Sequence, residues 1–563
     1  MMNNITHILK GQISLLFIII CSLLFSVSAC SDEWNDHYDA SAIDIGTLWE
    51  AIAGNEQLSN FARVAEACGY DRVLNGSQTF TVFAPVNEVF PSDEADRLIV
   101  LFQEQKAAGT RSDDNSVVRQ FLQNHIALYK YPVSSLTHDT IAMMNDKYEL
   151  LTGTHLGDCE LLSSNGLYNN GILFTLGKRL DYFHNVFEYL GHDTDLDSVY
   201  QFFNRYSVYE FDENKSVPGE IVDGMTIYLD SVSRLNNPLF NELGLINSED
   251  STYWLIAPTN EEWKRLVENY QPYFNYHNNV SKRDSLVYTK TRLAIMDGAF
   301  FSKTLNKDEA LQDSAVSTKA PSALMRSLMT DAYPYYTYYK PFEPGGVFDG
   351  TEEIVCSNGR VLKASTFNIS PFNTFMQTIK VEAENILSQD TIINAVEPLE
   401  SKQVTSDNPF YNKLSQNSFV EVKPISASAQ VSISFKVPNV LSNVKYDIYA
   451  VMVPVTAIDP SATEEATKPN ILRTTLFWSD QNGRDARKIN NKNIYNDPAV
   501  VDTVLLVKEQ SFATCSYGLT NPQVRLMIRS NVTSDYTMTH SSTLRIDCII
   551  FKPHDLEAFE EGE

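Results

Sequence analysis

The pattern of hydrophobic and polar positions changes along the chain and predicts three kinds of segment. Residues 13–27 form one apolar run, residues 45–372 mix helical spacing with short strands, and residues 373–563 alternate almost throughout. Apolar residues three and four positions apart predict amphipathic helices, whereas alternation predicts strands with one buried face. The pattern therefore predicts a multidomain chain in which α+β segments precede an all-β segment.

A strand that ends at an Ala-Pro pair occurs twice, at a spacing of about 170 residues that is typical of a domain repeat. The run TFTVFAPVNEVF (79–90) stops at Pro85, because proline donates no hydrogen bond to a strand ladder. The run YWLIAPTNEEW (253–263) follows the same order. In each copy an asparagine, Asn87 or Asn260, stands where a helix N-cap is expected.

Two further segments repeat at a similar spacing. His125 lies in NHIALYKYPVSSL (124–136), and Asp297 takes its place in the later copy. An Asn-Gly pair precedes a short alternating strand at Asn170 and again at Asn358, as in a tight turn. Several motifs that recur at nearly one period predict a duplicated domain.

These motifs resemble the fasciclin domain over roughly residues 45–370. The match is close in the first copy, and the second keeps IAPTNEEW but carries Asp297 where the family has histidine. The resemblance implies two tandem fasciclin-like α+β domains, at 45–178 and at 179–372, the second with an insertion at 304–350. It also implies that His125 belongs to a structural, adhesion-associated motif.

The N-terminal segment has the composition of a targeting signal. An apolar run of this length suits a signal-peptide core and is short for a membrane span. Residues 1–29 end in Val-Ser-Ala before Cys30, which resembles a bacterial lipobox in which Cys30 is lipidated. The alternative is an ordinary signal peptide cut near Ala29. Acidic residues in the tether, 30–44, resemble a surface-export signal, so we expect a surface-exposed outer-membrane lipoprotein.

The last segment, 373–563, predicts an all-β jelly-roll sandwich, because eight alternating runs are separated by turns. Its ends resemble a galactose-binding-like module of carbohydrate-binding domains. The first strand carries Glu382-Ala383-Glu384, and the last carries Ile546-Asp547. We expect these two strands to be adjacent.

Three carboxylates at these ends predict a metal site. Glu382 and Glu384 point to one face of their strand because side chains alternate. In the last strand alternation places Leu544, Ile546, Cys548 and Ile550 in the core and turns Asp547 outward or toward a rim. Together Glu382, Glu384 and Asp547 would offer the oxygen ligands that Ca²⁺ prefers. The alternative is a pair of solvent-facing carboxylates on an edge strand; no other cofactor is expected.

Two aromatic segments are candidates for glycan binding. Trp478 ends a strand and is followed by Asp480 and Asn482, and an aromatic ring beside planar polar groups suits a sugar. Tyr336 and Tyr338 belong to a tyrosine-rich stretch that could offer a stacking platform. The alternatives are core packing of Trp478 and an edge strand whose alternate tyrosines pack on the domain.

The net charge of the chain and its sequence motifs limit the classes of function that we expect. A net charge of −27 argues against binding of nucleic acid, and of anionic lipid by charge, so membrane contact is expected through the lipid anchor alone. No catalytic or nucleotide-binding motif is recognisable, and we expect no enzymatic activity. The cysteines beyond Cys30 suit buried thiols, with one bridge between Cys515 and Cys548 as the alternative.

Two functions fit these observations. The first is a cell-surface adhesion or scaffold protein that binds an extracellular protein through its fasciclin-like domains. The second is a glycan-capture lipoprotein of a polysaccharide-uptake system, in which the C-terminal sandwich holds the sugar and the other domains act as spacers.

Overall fold

The computed structural model describes residues 45–163, 165–222, 225–301, 315–317, 337–463 and 467–560. The chain divides into two compact units. Unit 1 comprises the residues up to Tyr182 together with Phe211–Ser233, and unit 2 comprises Phe183–Glu210 and Arg234–Glu563. Cys30 and Tyr336 lie outside the described residues. Within the described residues, no helix has the length and apolar character needed to cross a membrane.

Unit 1 opens with short helices and continues with short strands. Its helices are α1 Leu48–Ala53, α2 Ser59–Ala67, α3 Tyr70–Leu74 and α4 Ser92–Ala107. Its strands before residue 182 are β1 Phe80–Pro85, β2 Ile126–Leu128, β3 His138–Ala142, β4 Tyr148–Thr152, β5 His155–Leu156, β6 Cys159–Glu160, β7 Gly166–Tyr168 and β8 Gly171–Leu176. The predicted mixture of helices and strands is therefore present.

Strand β1 is the centre of unit 1. It pairs in parallel with β8, from Phe80 opposite Gly171 to Pro85 opposite Leu176, and antiparallel with β2. All six residues of β1 are buried, because one apolar cluster contains Phe80 and Val82 and another contains Phe83. Burial on both faces explains why this strand does not alternate between polar and apolar residues.

A hairpin from later in the chain completes unit 1. Strands β9 Val208–Phe211 and β12 Ser233–Asn236 flank β10 Val217–Val222 and β11 Met225–Asp230. Within unit 1, Val217 joins the apolar core and the hydroxyl of Tyr70 donates to Asp230 Oδ2 over 2.8 Å. The sequence-based boundary placed this segment in the second domain, whereas the contacts assign Phe211–Ser233 to unit 1.

Unit 2 begins with a region built in the same order as unit 1. Its helices are α5 Val186–His192, α6 Asp197–Asn204, α7 Pro238–Leu243, α8 Asn260–Tyr270 and α9 Arg283–Met296. Its strands are β13 Tyr253–Pro258, β14 Phe300–Phe301, β15 Ala315–Ser317, β16 Thr337–Tyr339, β17 Thr351–Cys356 and β18 Gly359–Ala364. We call residues 45–178 region one, and we call the part of residues 179–372 that belongs to unit 2 region two.

The central sheet of region two has the register of region one. Strand β13 pairs in parallel with β18, from Tyr253 opposite Gly359 to Pro258 opposite Ala364. The predicted N-cap role of the motif asparagines is wrong, because α4 follows Pro91 and α8 is capped by Thr259. Asn87 instead accepts a hydrogen bond from the amide of Asn60, and Asn260 accepts one from the amide of Ser198.

The rest of unit 2 consists of two antiparallel sheets, which we call the C-terminal module. Its strands are β19 Ile379–Glu382, β20 Gln389–Ile393, β21 Glu400–Gln403, β22 Ser418–Val422, β23 Ser432–Val437, β24 Lys445–Met452, β25 Ile471–Ser479, β26 Asp485–Tyr495, β27 Asp502–Ser511, β28 Val524–Ser530 and β29 Leu544–Pro553. One sheet runs β21-β22-β29-β24-β27 with β19 on β29, and the other runs β20-β23-β28-β25-β26. A short helix, α10 Leu556–Glu560, follows.

Region two and the C-terminal module share one apolar core. Phe375 packs against the rings of Tyr270 and Phe274, at centroid distances of 5.2 and 5.4 Å. The hydroxyl of Tyr276 donates to the carbonyl of Tyr517 over 2.7 Å. Since these contacts are buried, region two and the module form one packed body within unit 2.

Candidate functional site

The predicted carboxylates meet where the first and last strands of the module pair. Strand β19 lies antiparallel to β29 with Glu382 opposite Cys548, which confirms that these strands are adjacent. One oxygen each of Glu382 and Asp547 and the sulfur of Cys548 lie within 4.8 Å of one another. The amide of Ala383 donates to the carbonyl of Asp547 over 2.9 Å and holds the two strand ends together.

The predicted orientation of Asp547 is wrong, because β29 contains a bulge. Ala450 of β24 lies opposite Ile549, but Met452 lies opposite Ile546, so two residues of β29 face one residue of β24. The bulge reverses the alternation, so Ile549 is buried and Ile550 is half-exposed. Asp547 itself is 2% exposed, and it is held in a cluster rather than at a solvated rim.

Hydrogen bonds satisfy only part of this acidic cluster. The amide of Ser415 donates to both carboxylate oxygens of Asp547, at 3.2 and 3.1 Å, and its hydroxyl donates to Glu382 Oε1. The hydroxyl of Ser418 donates to Glu384 Oε1. The other oxygen of each glutamate, Oε2, is buried and has no hydrogen-bond partner among the described residues.

The electrostatics of the cluster favour a bound cation. Burial raises the pKa of Asp547 to about 7, the amide of Ser415 lowers it, and the nearby carboxylates of Glu382 and Glu384 raise it further. The ammonium of Lys380, 3.4 Å from Glu382 Oε1, is the nearby positive charge. Two unpartnered buried carboxylate oxygens beside a third carboxylate fit a hard divalent cation such as Ca²⁺. Glu382, Glu384 and Asp547 would hold it, and the cation would supply charge neutralisation.

The residues predicted around Trp478 do not form an open sugar platform. The Trp478 ring packs edge-on against Phe512 at 5.9 Å, as the core-packing alternative expected. Asp480 Oδ1 accepts hydrogen bonds from the amides of Asn482 and Arg484 and closes the turn. The carbonyl of Asn482 accepts a hydrogen bond from Asn279 of region two. This loop therefore joins the module to region two.

The tyrosine-rich stretch also packs inward where it is described. Tyr338 is 5% exposed, its ring lies 6.0 Å from that of Phe301, and its hydroxyl donates to the carbonyl of Gly298. The edge-strand alternative is therefore the better description of Tyr338, which lies in β16 paired with β15.

His125 and the cysteines are structural in the described residues. His125 is buried, its Nδ1 bonds to the carbonyl of Phe121 over 2.7 Å, and its Nε2 accepts from the amide of Leu180 over 3.1 Å. Burial lowers its pKa to about 4, so the ring is neutral. Cys515 and Cys548 are free thiols rather than a disulfide, and burial raises the pKa of Cys515 to about 12.

Two surfaces were missed at the sequence level. The hairpin of β10 and β11 exposes large apolar side chains in unit 1, including Ile221 and Met225. In the C-terminal module, basic residues occupy outward positions on neighbouring strands, including Arg473 and Arg529. Basic residues alternating with buried apolar ones in β28 were a visible signal, but only the strand register shows that they align.

Comparisons with known proteins find similarity in one region of the chain. A family model described as "Fasciclin domain" matches residues 56–178. The chain is 39% identical over 79 residues to Stabilin-1 of Homo sapiens and 38% identical to that of Mus musculus. These matches span 14% of this chain and 3% of each Stabilin-1 chain.

Two solved structures are similar to parts of this chain at low sequence identity. One is a FAS1 domain pair from the insect cell adhesion molecule Fasciclin I, at 11% identity and a TM-score of 0.19, covering 58% of this chain and 97% of that one. The other is the CBM22-1 xylan-binding domain from Paenibacillus barcinonensis Xyn10C, at 16% identity and a TM-score of 0.18, covering 31% and 91%. Residues 56–178 are therefore similar to the Fasciclin domain.

Proposed function

We propose that this protein is a non-enzymatic cell-surface lipoprotein that mediates adhesion or scaffolding by binding an extracellular protein. The match of residues 56–178 to the Fasciclin domain model supports this class of function, because the resemblance to that family implies an adhesion-associated motif. Region two would be a second, diverged copy, because the paired strands of the two regions share one register. The single observation that carries the proposal is the exposed apolar hairpin of unit 1.

The hairpin supplies a contact surface of suitable chemistry. Ile221 is 73% exposed, Met225 is 70% exposed and Ile227 is 53% exposed. In the hairpin register Val222 lies opposite Met225, so the exposed side chains of Val222, Met225 and Ile227 share one face. Exposed apolar side chains grouped on one face mark protein-interaction sites in soluble domains. The base of the hairpin is fixed by the buried Tyr70–Asp230 hydrogen bond, with Gln123 Nε2 donating to the same carboxylate over 3.2 Å. A fixed base presents the apolar tip at low entropy cost.

An adhesion assay tests this proposal. Cells displaying the full chain would be measured for attachment to surfaces coated with extracellular-matrix proteins. We expect the double substitution Met225→Asp and Ile227→Asp to reduce attachment at least tenfold, because it removes apolar contact area from one face of the hairpin. Leu136→Asp, at a position of unit 1 that is 90% exposed, is the matched control and should retain attachment. Equal attachment by the double variant and the wild type would contradict the proposal.

The anchor is tested separately. Cys30→Ala should move the protein from the membrane fraction to the soluble fraction if Cys30 is lipidated. Protease treatment of intact cells should degrade the wild-type protein if it is surface-exposed on the outer membrane. Membrane partitioning of the variant that equals the wild type would contradict the lipoprotein assignment.

Glycan capture by the C-terminal module is a second candidate function. The observation that favours it is the outer face of the five-stranded sheet, which is half-exposed and carries Phe477, guanidinium groups and amides. An aromatic side chain beside planar polar groups is suited to sugars. A full-chain glycan array tests it, and binding to no glycan would remove this function while leaving the adhesion proposal in place.

A further inference from the structure

The outer face of the five-stranded sheet carries basic side chains in ordered rows. The strand register sets one row across the sheet as Lys436, Arg525, Phe477 and Arg487. A second row, two residues along the strands, contains Ser434, Met527, Thr475 and Ile489. A third row contains Ser432, Arg529 and Arg473, and Asn493 Oδ1 accepts from Arg473 Nε over 3.0 Å. Two cationic rows therefore flank an uncharged one.

This arrangement places like charges against each other. Arg473 lies directly opposite Arg529 on the neighbouring strand, and Arg525 lies directly opposite Lys436. Like charges at directly opposite positions of a sheet are destabilising. Arg525 has one acidic partner, Asp390, at 3.2 Å, and its guanidinium lies 5.2 Å from the centre of the Phe477 ring. The Arg473–Arg529 pair has no acidic partner among the described residues, so this pair is arranged at a cost to the fold.

The charge balance of the face opposes that of the chain. The protein has 71 acidic and 44 basic residues, whereas the acidic residues on these five strands are Asp390 and Asp485. Arg487 and Arg529 make no ion pair or side-chain hydrogen bond with any described residue. A solvated face that served only solubility would be expected to share the acidic character of the chain. The free guanidinium groups are therefore available to an external anion.

We propose that this face binds an anionic polysaccharide, with the polymer lying along the middle row and its carboxylate or sulfate groups between the two cationic rows. This inference rests on the second proposed function and names its ligand class. The cationic rows are separated by four residues along a strand, or about 13 Å. That width admits one extended chain. Guanidinium groups bind carboxylate and sulfate groups through paired hydrogen bonds.

The side chains of the middle row suit the body of a sugar chain. Met527 and Ile489 offer apolar contact, and the hydroxyl of Thr475 offers a hydrogen bond. Ser434 at the end of the row is buried, and its hydroxyl donates to Asp390 and to the carbonyl of Thr391. A nucleic acid would also satisfy the cationic rows, but this row has no aromatic residue for a base to stack on. Polyanionic glycans are therefore favoured over single-stranded nucleic acids.

Binding of the full mature chain to polymers of defined charge tests the proposal. The probes are polygalacturonate, heparin, neutral xylan and polyuridylate at low salt, measured by affinity electrophoresis or calorimetry. We expect binding to polygalacturonate or heparin, weakening steeply as salt rises, and little binding to xylan. The first two probes distinguish carboxylate from sulfate as the source of the anion.

A matched pair of variants locates the site. Arg487→Gln with Arg529→Gln removes one free guanidinium from each cationic row and should weaken binding at least tenfold. The melting temperature of unit 2 should stay the same or rise, because a like-charge repulsion is relieved. Lys402→Gln with Lys423→Gln is the control of equal charge change, since both lysines pair with Glu400 on the other sheet. It should change binding less than twofold.

The other outcomes are decisive. Xylan binding equal to polygalacturonate binding would overturn the anionic class while leaving glycan capture in place. Equal loss of binding in both double variants would overturn the location, since net charge alone would then explain it. Binding to polyuridylate as tight as to the acidic glycans would overturn the polysaccharide assignment. Binding to no glycan would overturn this inference and the second proposed function together.

Discussion

Region one and region two build the same central sheet with different side chains and different surroundings. In both, the amide group of an asparagine before glycine joins the first helix to a later loop. Asn170 accepts from the amide of Leu48 and donates to the carbonyl of Gly76, and Asn358 accepts from the amide of Val186 and donates to that of Ser248. Such main-chain contacts tolerate divergence of the side chains around them.

The surroundings of the two regions differ. Region one completes its core with its own side chains and with Val217 from the hairpin of unit 1. Region two shares its core with the C-terminal module, through Phe274, Phe375 and Tyr517. The comparison shows that the backbone frame persists where apolar partners change. It also predicts that perturbations of the two frames have different consequences for stability.

The largest effect is expected from the shared core. Phe375→Ala should destabilise unit 2 by about 4 kcal/mol, because truncating a buried aromatic ring removes burial and leaves a cavity. Hydrogen exchange measured by mass spectrometry should show region two and the module losing protection together, with unit 1 unchanged. Loss of protection in the module alone would break the comparison, since region two would then be independent of it.

Glycine substitutions test whether the central sheets of the two regions depend on the same close backbone contact. A Cβ on Gly171 would lie 2.2 Å from the carbonyl oxygen of Phe80, and one on Gly359 would lie 1.8 Å from that of Tyr253. Each alanine variant should destabilise its own unit by about 3 kcal/mol, because neither backbone can move without breaking the parallel pairing. Gly109→Ala and Gly345→Ala are controls with no atom within 4 Å of the new Cβ, and at φ of +84° and +85° each should cost only the local backbone strain, about 1 kcal/mol. Denaturation that distinguished neither variant from its control would contradict the equivalence.

The buried histidine of region one should make the stability of unit 1 depend on pH in the acid range. The folded pKa of about 4 lies below the unfolded value of 6.5, so the unfolded state binds the proton first. Neutral His125 makes its full contribution to the free energy of unfolding of unit 1 above pH 6.5. Up to about 3 kcal/mol of this stability is lost as pH falls toward 4.

The variant His125→Gln isolates the contribution of His125 to the pH dependence of stability. Urea unfolding of unit 1 at a series of pH values should show a shallower decline in the variant than in the wild type. Parallel pH profiles for the two proteins would show that His125 does not titrate as its burial requires.

A smaller effect, confined to unit 2, is expected from calcium. At a free Ca²⁺ concentration one hundred times the Kd, a site that exists only in the folded state stabilises it by about 2.7 kcal/mol. Calcium should therefore raise the melting temperature of unit 2 and a chelator should lower it, with unit 1 unaffected. Glu384→Gln should weaken this response. Melting curves that are the same with millimolar Ca²⁺ and with chelator would remove the site.

Local patterns in the sequence determined much of the frame. Pro85 and Pro258 mark strand ends because proline cannot continue a ladder, and the Asn-Gly pairs mark turns because glycine alone fits the close approach that follows. The convergence of Glu382, Glu384 and Asp547 was also predictable. It followed from alternation within one strand and from the adjacency of the first and last strands.

Tertiary structure alone decided the rest, because those features depend on register and on partners distant in sequence. The bulge at Asp547 arises from the pairing of β24 with β29, which alternation in one strand cannot reveal. Trp478 and Tyr338 have the composition of ligand platforms, but packing against Phe512 and Phe301 occupies them. The hairpin 211–233 joins unit 1 through Tyr70 and Asp230, which are 160 residues apart. The cationic rows exist only where four strands align in register.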